Sequence, residues 1–176
     1  MGIIDQIRNY FYESVLRQRG PGAPRRITNL ADAKTIGIIY DSSMPAYDSI
    51  IARYAEGLTA KGKTVEVLAY LDDKKIESKP GINIFNKKAV NWYGIPTDAR
   101  VTAFCDKPFD VMICAITDEN KPLEYMAYIS KAKYRVGPFA ESKTRLFDLM
   151  IQLDTKRDLG YLLQQVTHFL DNIKYN

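Results

Sequence analysis

The chain has 176 residues, 46% of them hydrophobic and 26% charged, a composition typical of one globular domain with a sizeable core. No apolar run approaches the roughly 20 residues that a membrane-spanning helix needs, and charged residues interrupt the N-terminus where a signal peptide would be apolar. The two cysteines lack the spacing of a metal or redox motif, so we expect a cytoplasmic protein without a disulfide bond.

The net charge of +4 is concentrated near the N-terminus. Residues 1–34 contain six of the 25 basic residues and three of the 21 acidic ones, so they alone carry +3. A local excess of positive charge acts on association with partners rather than on the fold. We therefore expect a basic leader over residues 1–25 and a near-neutral domain over residues 26–176.

The leader has the pattern of an amphipathic helix followed by a linker. Apolar residues recur at spacings of three and four, which predicts a helix over residues 3–18. The residues in this apolar pattern are Ile3, Ile4, Ile7, Tyr10, Phe11 and Val15. Glycine and proline at residues 20–24 then end the helix and predict a linker.

Strand and helix patterns alternate through residues 26–176. The predicted strands cover residues 35–40, 63–71, 82–85, 111–116, 134–137 and 147–153. The predicted helices cover residues 47–58, 101–105, 123–130 and 159–173. This alternation predicts an α/β fold, a three-layer Rossmann-like sandwich with a mostly parallel sheet.

Polar residues follow the first and the fourth predicted strands. If the strand order reverses between these two, Asp41 and Asp118 meet in one crevice, where open parallel sheets bind ligands. The turn after the first strand has no glycine and contains Pro45, which argues against a dinucleotide site there. The candidate ligand-binding residues are Asp41, Ser42, Ser43, Thr117, Asp118 and Glu119.

Two interpretations of these candidates stay open. In the first, the serines hold a small anion at a helix start, and the carboxylates hold Mg²⁺ through oxygen ligands. In the second, which we favour, one of the two serines or Asp41 caps a helix, and the carboxylates interact favourably with helix dipoles. We accordingly predict no cofactor and no metal.

The sequence offers little for catalysis. His168 is the only histidine and lies in the last predicted helix, so no serine or cysteine has an evident general base. Cys114 lies inside an apolar strand and is expected in the core. We predict no catalytic residue, which favours a binding protein over an enzyme.

Two further features lie outside the apolar periodicity. Trp92 and Tyr93 occupy a predicted loop, where aromatic side chains either stack on a ligand or a partner, or cover the core, which we favour. Lys131, Lys133 and Arg135 alternate at the start of the fifth strand, which predicts that all three point to solvent.

Several stretches resemble an uncharacterised bacterial family, a domain of unknown function of about this length. They are NLADAKTIGIIYD (residues 29–41), NWYGIP (91–96), the βαβ stretch 109–137, and FDLMIQL (147–153). The resemblance implies a compact cytoplasmic protein with a basic leader and no established activity. FDVMICAITDE and AKYRVGPF are also similar to the N-terminal domain of heptosyltransferase-type glycosyltransferases, which implies a shared half-fold; the chain has no second domain to hold a sugar nucleotide.

These features together predict a non-catalytic binding or adaptor protein. The leader helix would dock through its apolar face while its arginines steer an acidic partner, either a protein or, as the alternative, RNA or the ribosome. Neither a membrane surface nor DNA is expected as a partner. The candidate partner-binding residues are Ile4, Ile7, Arg8, Phe11, Val15, Arg17, Arg19, Arg25, Arg26, Trp92 and Tyr93.

The rival prediction is a ligand sensor or an enzyme for a nucleotide or sugar phosphate. Its site would lie at the carboxyl ends of the first and fourth strands.

Overall fold

The computed structural model describes residues 2–19, 24–75, 78–153 and 158–174. The strands in these residues are β1 Thr35–Asp41, β2 Thr64–Leu71, β3 Ile84–Asn86, β4 Val111–Ala115, β5 Tyr134–Pro138 and β6 Leu149–Ile151. They form one sheet in the order β3-β2-β1-β4-β5-β6, and every neighbouring pair is parallel. This confirms the predicted α/β class and makes the described sheet wholly rather than mostly parallel.

Helices cover both faces of the sheet. They are α1 Ile3–Arg19, α2 Pro45–Ala60, α3 Ala99–Cys105, α4 Lys121–Ile129 and α5 Leu159–Asn172. Helices α2 and α5 bury one hydrophobic cluster against the sheet, and α1, α3 and α4 bury a second on the opposite face. None of the helices in the described residues combines the length and apolar character of a membrane-spanning segment.

The apolar run of β1 follows from this double cover. Ile36, Ile38 and Tyr40 belong to the cluster under α2 and α5, whereas Ile39 belongs to the cluster on the other face. A strand covered on both faces needs apolar side chains at successive positions, because neither face meets water. The continuous apolar run that predicted the first strand therefore also indicates that β1 lies in the middle of the sheet.

Arg135 corrects the expectation that the alternating basic residues all face solvent. Its side chain is fully buried, and Nη1 donates to the carbonyl oxygens of Ala127 at 2.7 Å and Tyr128 at 3.0 Å. Burial lowers the pKa of Arg135 to about 10, so the guanidinium is still charged at neutral pH. The prediction from alternating positions was wrong because both faces of β5 are covered. The guanidinium of Arg135 binds carbonyl oxygens near the end of α4 instead.

Helix α1 is docked on the domain. Tyr12 and Leu16 are buried in the core, and the Tyr12 hydroxyl donates to the carbonyl oxygen of Lys121 at 3.1 Å. Glu13 of α1 and Arg145 of the domain also form an ion pair at 3.3 Å. Residues 20–23 of the predicted linker lie outside the described residues. The structure therefore shows that the leader helix docks on its own domain.

Two strand glycines lie directly under aromatic rings. A Cβ placed at Gly37 would come within 2.7 Å of the Phe109 ring, and one at Gly137 within 2.5 Å of the Phe147 ring. Both rings are buried, so neither can move aside into solvent. The absence of a side chain at these positions lets an aromatic ring pack on the strand backbone.

We predict that Gly137→Ala destabilises the protein by about 1–3 kcal/mol, because the added methyl group overpacks the Phe147 ring. Gly57→Ala is the control: nothing lies within 4 Å of its Cβ position on α2. That substitution should stabilise by about 0.5–1 kcal/mol through helix propensity. Urea-induced unfolding measures both changes, and a stabilised Gly137→Ala protein would contradict the packing described here.

Candidate functional site

A hydrogen bond joins the loops that follow β1 and β4, the point where the strand order reverses. Asn120 Nδ2 donates to Asp41 Oδ2 at 2.9 Å, while Asn120 Oδ1 accepts from the backbone N–H of Leu123 and caps α4. Asp41 ends β1 and also accepts from the backbone N–H of Ser43 at 2.8 Å. This pair therefore lies at the edge of the sheet where doubly wound sheets bind ligands.

The structure brings most of the predicted ligand-binding residues to this crevice. Asp41, Ser43, Thr117 and Asp118 border one cavity of about 190 Å³. Glu119 lines a larger neighbouring cleft, which Asp41 and Asn120 also border. Asp41 and Asp118 therefore lie at the same edge of the sheet. The remaining candidate, Ser42, is fully buried.

Ser42 is the buried member of a partly exposed polar network with Lys79 and Asp48. Lys79 Nζ donates to Ser42 Oγ at 2.6 Å, to the Ser42 carbonyl oxygen at 2.6 Å and to Asp48 Oδ2 at 2.8 Å. Asp48 Oδ1 accepts from Ser42 Oγ at 2.5 Å and from the Tyr40 hydroxyl at 2.9 Å. An ammonium that donates three hydrogen bonds and pairs with a carboxylate is no base for Ser42. The network ties the β2–β3 connection to the start of α2.

The larger cleft has a volume of about 860 Å³ and lies on the β2 and β3 side of the Asp41–Asn120 pair. Side chains from α1, from the ends of β2 and β3, from the loop at 91–94 and from the start of α4 line it. Its basic residues are Arg8, Lys74, Lys87, Lys88 and Lys121. Its acidic residues are Asp41, Asp72 and Glu119, so the lining has two more positive than negative side chains.

Two of the three cleft carboxylates already have partners. Asp72 pairs with Lys87 at 2.8 Å and accepts from the Tyr70 hydroxyl at 2.9 Å, and the hydrogen bond from Lys87 lowers the pKa of Asp72. Asp41 is bound by Asn120, as described above. Arg8 comes no closer than 3.9 Å to Asp5, which is beyond hydrogen-bonding distance. The cleft therefore keeps an excess of positive charge.

The loop at 91–95 places one aromatic side chain on the core and one at the rim of the cleft. Asn91 Oδ1 accepts from the backbone N–H groups of Tyr93 at 3.2 Å and Ile95 at 2.9 Å. Gly94 adopts a φ of +98°, a conformation that favours glycine. Tyr93 packs against the core, whereas Trp92 is 55% exposed. The interpretation that these residues cover the core therefore applies to Tyr93, and contact of Trp92 with a ligand or a partner stays a prediction.

The exposed part of α1 and Trp92 form one apolar surface. The Phe11 ring lies 5.4 Å from the Trp92 ring and 5.9 Å from the Tyr10 ring. Of the expected docking face, Val15 packs against the core and the other members are exposed. We call the following residues the α1 surface: Ile3, Ile4, Ile7, Tyr10, Phe11 and Trp92.

The basic residues of the leader do not form one patch. Arg8 lines the cleft and Arg17 is exposed on α1, whereas Arg25 and Arg26 reach the amino-terminal edge of the sheet. There Arg25 Nη1 donates to Asp148 Oδ1 at 2.5 Å, just before β6. The side chain of Arg19 lies outside the described residues. Of these described arginines, Arg8 alone lies on α1 and also lines the cleft.

The remaining reactive side chains lie apart from the cleft. Burial raises the pKa of the Cys105 thiol to about 12 and raises that of Cys114 as well, so both are neutral thiols at neutral pH. His168 is exposed on α5, beside Phe169. Within the described ranges, no three His, Cys, Asp or Glu side chains group closely enough to hold a metal ion.

Sequence reasoning missed the basic cleft and the Lys79 network. In the sequence, Lys74 lies in a charged connection, and Lys87 and Lys88 follow a short predicted strand. No sequence pattern predicted that α1 would line a cleft together with these lysines. Asn120 had a partial signal, since an asparagine before Pro122 suits a helix start. Its hydrogen bond to Asp41 depends on two strands that are adjacent only in the folded sheet.

We predict that Asp48→Asn lowers the free energy of unfolding by about 1–3 kcal/mol at neutral pH. Burial of Asp48 opposes its ionisation, but the hydrogen bonds from Lys79, Ser42 and Tyr40 outweigh burial and lower its pKa. The stabilisation is therefore present above the unfolded-state pKa of about 3.9 and is lost as pH falls through the lower folded-state pKa.

Urea-induced unfolding of both proteins at neutral pH and at about pH 3 measures this difference, which should narrow in acid. Other carboxyl groups titrate in both proteins and cancel in the comparison. An equal difference at the two pH values would contradict the role assigned to Asp48.

Comparison with known protein families finds one match that covers most of the chain. The model of a family of unknown function, DUF6913, matches residues 5–173, which include most of α1 and the whole described sheet. No curated protein matches the chain. The similarity to heptosyltransferase-type glycosyltransferases is not shown. The resemblance to an uncharacterised family is confirmed, and the chain belongs to family DUF6913.

Proposed function

We propose that this protein is a non-catalytic binding protein whose α1 surface docks a protein partner. The observation that carries this proposal is the exposure of the six side chains of the α1 surface, between 44% and 76% each. Contiguous exposed apolar patches on a folded domain mark interaction sites. Each side chain that becomes fully buried contributes about 1.5–3 kcal/mol, which offsets the entropic cost of association.

The chemistry of the α1 surface favours a protein over RNA. Three of its six residues are aromatic and three are isoleucine. The buried centres of protein interfaces are depleted in charge and enriched in aromatic side chains, whereas RNA recognition needs contacts to phosphate. Arg8 and Arg17, on the same helix, would lie at the rim and favour acidic residues of the partner.

The docking of α1 on its own domain supports this proposal. Tyr12 and Leu16 anchor the helix, and the Phe11 ring contacts both Trp92 and Tyr93. The helix is therefore held in place before a partner arrives, and less entropy is lost when the complex forms. A non-catalytic role agrees with the neutral buried thiols and the buried Ser42.

We predict that photo-crosslinking from position 11 in cells captures one defined protein, and that the same crosslinker at position 169 does not. Phe11 and Phe169 are matched, since both are helical phenylalanines with 44% and 45% exposure, and they lie on opposite faces of the domain. With the purified partner, Phe11→Ser should weaken binding at least tenfold, as expected for an aromatic residue at the centre of an interface.

Phe169→Ser should bind the partner like the unsubstituted protein, and thermal unfolding checks that both variants are folded. Unchanged affinity of Phe11→Ser would contradict the proposal. Crosslinks to RNA alone, or only to a second copy of this chain, would contradict it as well and would replace the proposed partner with the one captured.

A further inference from the structure

We propose that the larger cleft binds a small phosphorylated ligand with a planar aromatic ring, a ligand of the nucleotide class. The cleft borders the α1 surface and shares Trp92 with it, but the ligand proposal does not depend on the docking of a protein partner. The proposal stands on three features of the described residues: the position and size of the cleft, the origin of its positive charges, and the exposed indole at its rim.

The position and size suit a small ligand. The cleft opens beyond the carboxyl ends of β1 and β2, beside the reversal of strand order between β1 and β4. Its volume of about 860 Å³ falls within the range of roughly 300–1,000 Å³ that small-molecule sites occupy. The hydrogen bond between Asp41 and Asn120 borders the cleft and joins the loops that follow β1 and β4.

The positive charges converge from separate parts of the chain. Arg8 comes from α1, Lys74 follows β2, Lys87 and Lys88 follow β3, and Lys121 begins α4. Arg8 Nε is buried and has no hydrogen-bond partner in the part of the chain that the structure describes. Phosphate oxygens are strong acceptors for guanidinium and ammonium groups. With five cationic side chains against three carboxylates, the lining has a net positive charge and favours an anion with several oxygens.

The indole of Trp92 supplies a surface for an aromatic ring. Edge contacts with Phe11 at 5.4 Å and with Tyr93 at 5.3 Å hold the indole in place while more than half of it stays exposed. Bases and other planar rings stack on such exposed aromatic side chains with little dependence on sequence. A ligand with phosphates among the cleft cations and a ring on Trp92 would use both features.

The cleft also accounts for the missing glycine-rich turn. In dinucleotide-binding sheets the phosphates approach the amides after the first strand, but here that turn contains Met44 and Pro45. The cations instead lie on the β2 and β3 side and on α1. Phosphates in this cleft would be bound by side chains rather than by the N-terminus of α2.

Trp92 is the only tryptophan of the chain, so its fluorescence reports on the cleft directly. The test titrates the full chain with ADP, GDP, CDP, UDP, adenosine and inorganic pyrophosphate, with calorimetry as the second readout. At least one nucleoside diphosphate should bind, quench Trp92 and weaken as salt is raised. Pyrophosphate and adenosine should each bind at least tenfold more weakly than that nucleotide.

Two pairs of substitutions separate the cleft from general charge. Arg8→Gln with Lys74→Gln removes two cleft cations and should weaken nucleotide binding at least tenfold. Arg53→Gln with Lys61→Gln removes two exposed cations that do not line the cleft and should leave the affinity unchanged. Trp92→Leu, followed by calorimetry, should weaken the nucleotide at least tenfold and pyrophosphate little.

Three outcomes would overturn the proposal, with thermal unfolding as the check that each protein is folded. The first is no binding of any diphosphate or of pyrophosphate below about 1 mM. The second is an equal loss of affinity in the cleft pair and the control pair. The third is pyrophosphate that binds as tightly as every nucleotide, which would show an anion site without recognition of the ring.

Discussion

The structure depends on one constraint, the burial of a wholly parallel sheet on both of its faces. Parallel neighbours can be joined only by crossings over a face, so every strand ends at the same edge. Strand β2 lies on one side of β1 and β4 on the other, so the connections after β1 and β4 run in opposite directions along the sheet. The loops that follow β1 and β4 therefore separate at that edge. The hydrogen bond between Asn120 and Asp41 spans this opening, and the cleft lies beside it.

Helix α1 gives this sheet two surfaces of different chemistry. Its residues Tyr12 and Leu16 belong to the core, whereas its members of the α1 surface are exposed. Between them Arg8 turns to the cleft, while Phe11 contacts Trp92 at the rim. One helix thus closes a basic cleft and presents an apolar surface, and the two meet at the indole. A helix with apolar residues around much of its circumference suits this double contact.

Sequence patterns predicted the elements well and the side-chain environments less well. The strands and helices appear within a few residues of their predicted bounds, and Asp41 and Asp118 lie at one edge as the expected strand order required. Arg135 was placed in solvent and is buried, because alternation carries no information on a strand covered on both faces. We predicted Ser42 at an open site, but it is buried and hydrogen-bonded to Lys79. No sequence pattern indicated this contact, because Lys79 lies 37 residues away in the chain.

The sequence by itself determined the α/β class, the amphipathic leader and the polar residues after the first and fourth strands, since each follows from local periodicity. Only the tertiary structure decided which face of α1 packs inward, which lysines surround the cleft and which aromatic residue of the 92–93 pair is exposed. Periodicity states that a helix has an apolar side. It does not state which neighbour covers that side, because contacts between residues far apart in the chain arise only when the sheet brings their elements together.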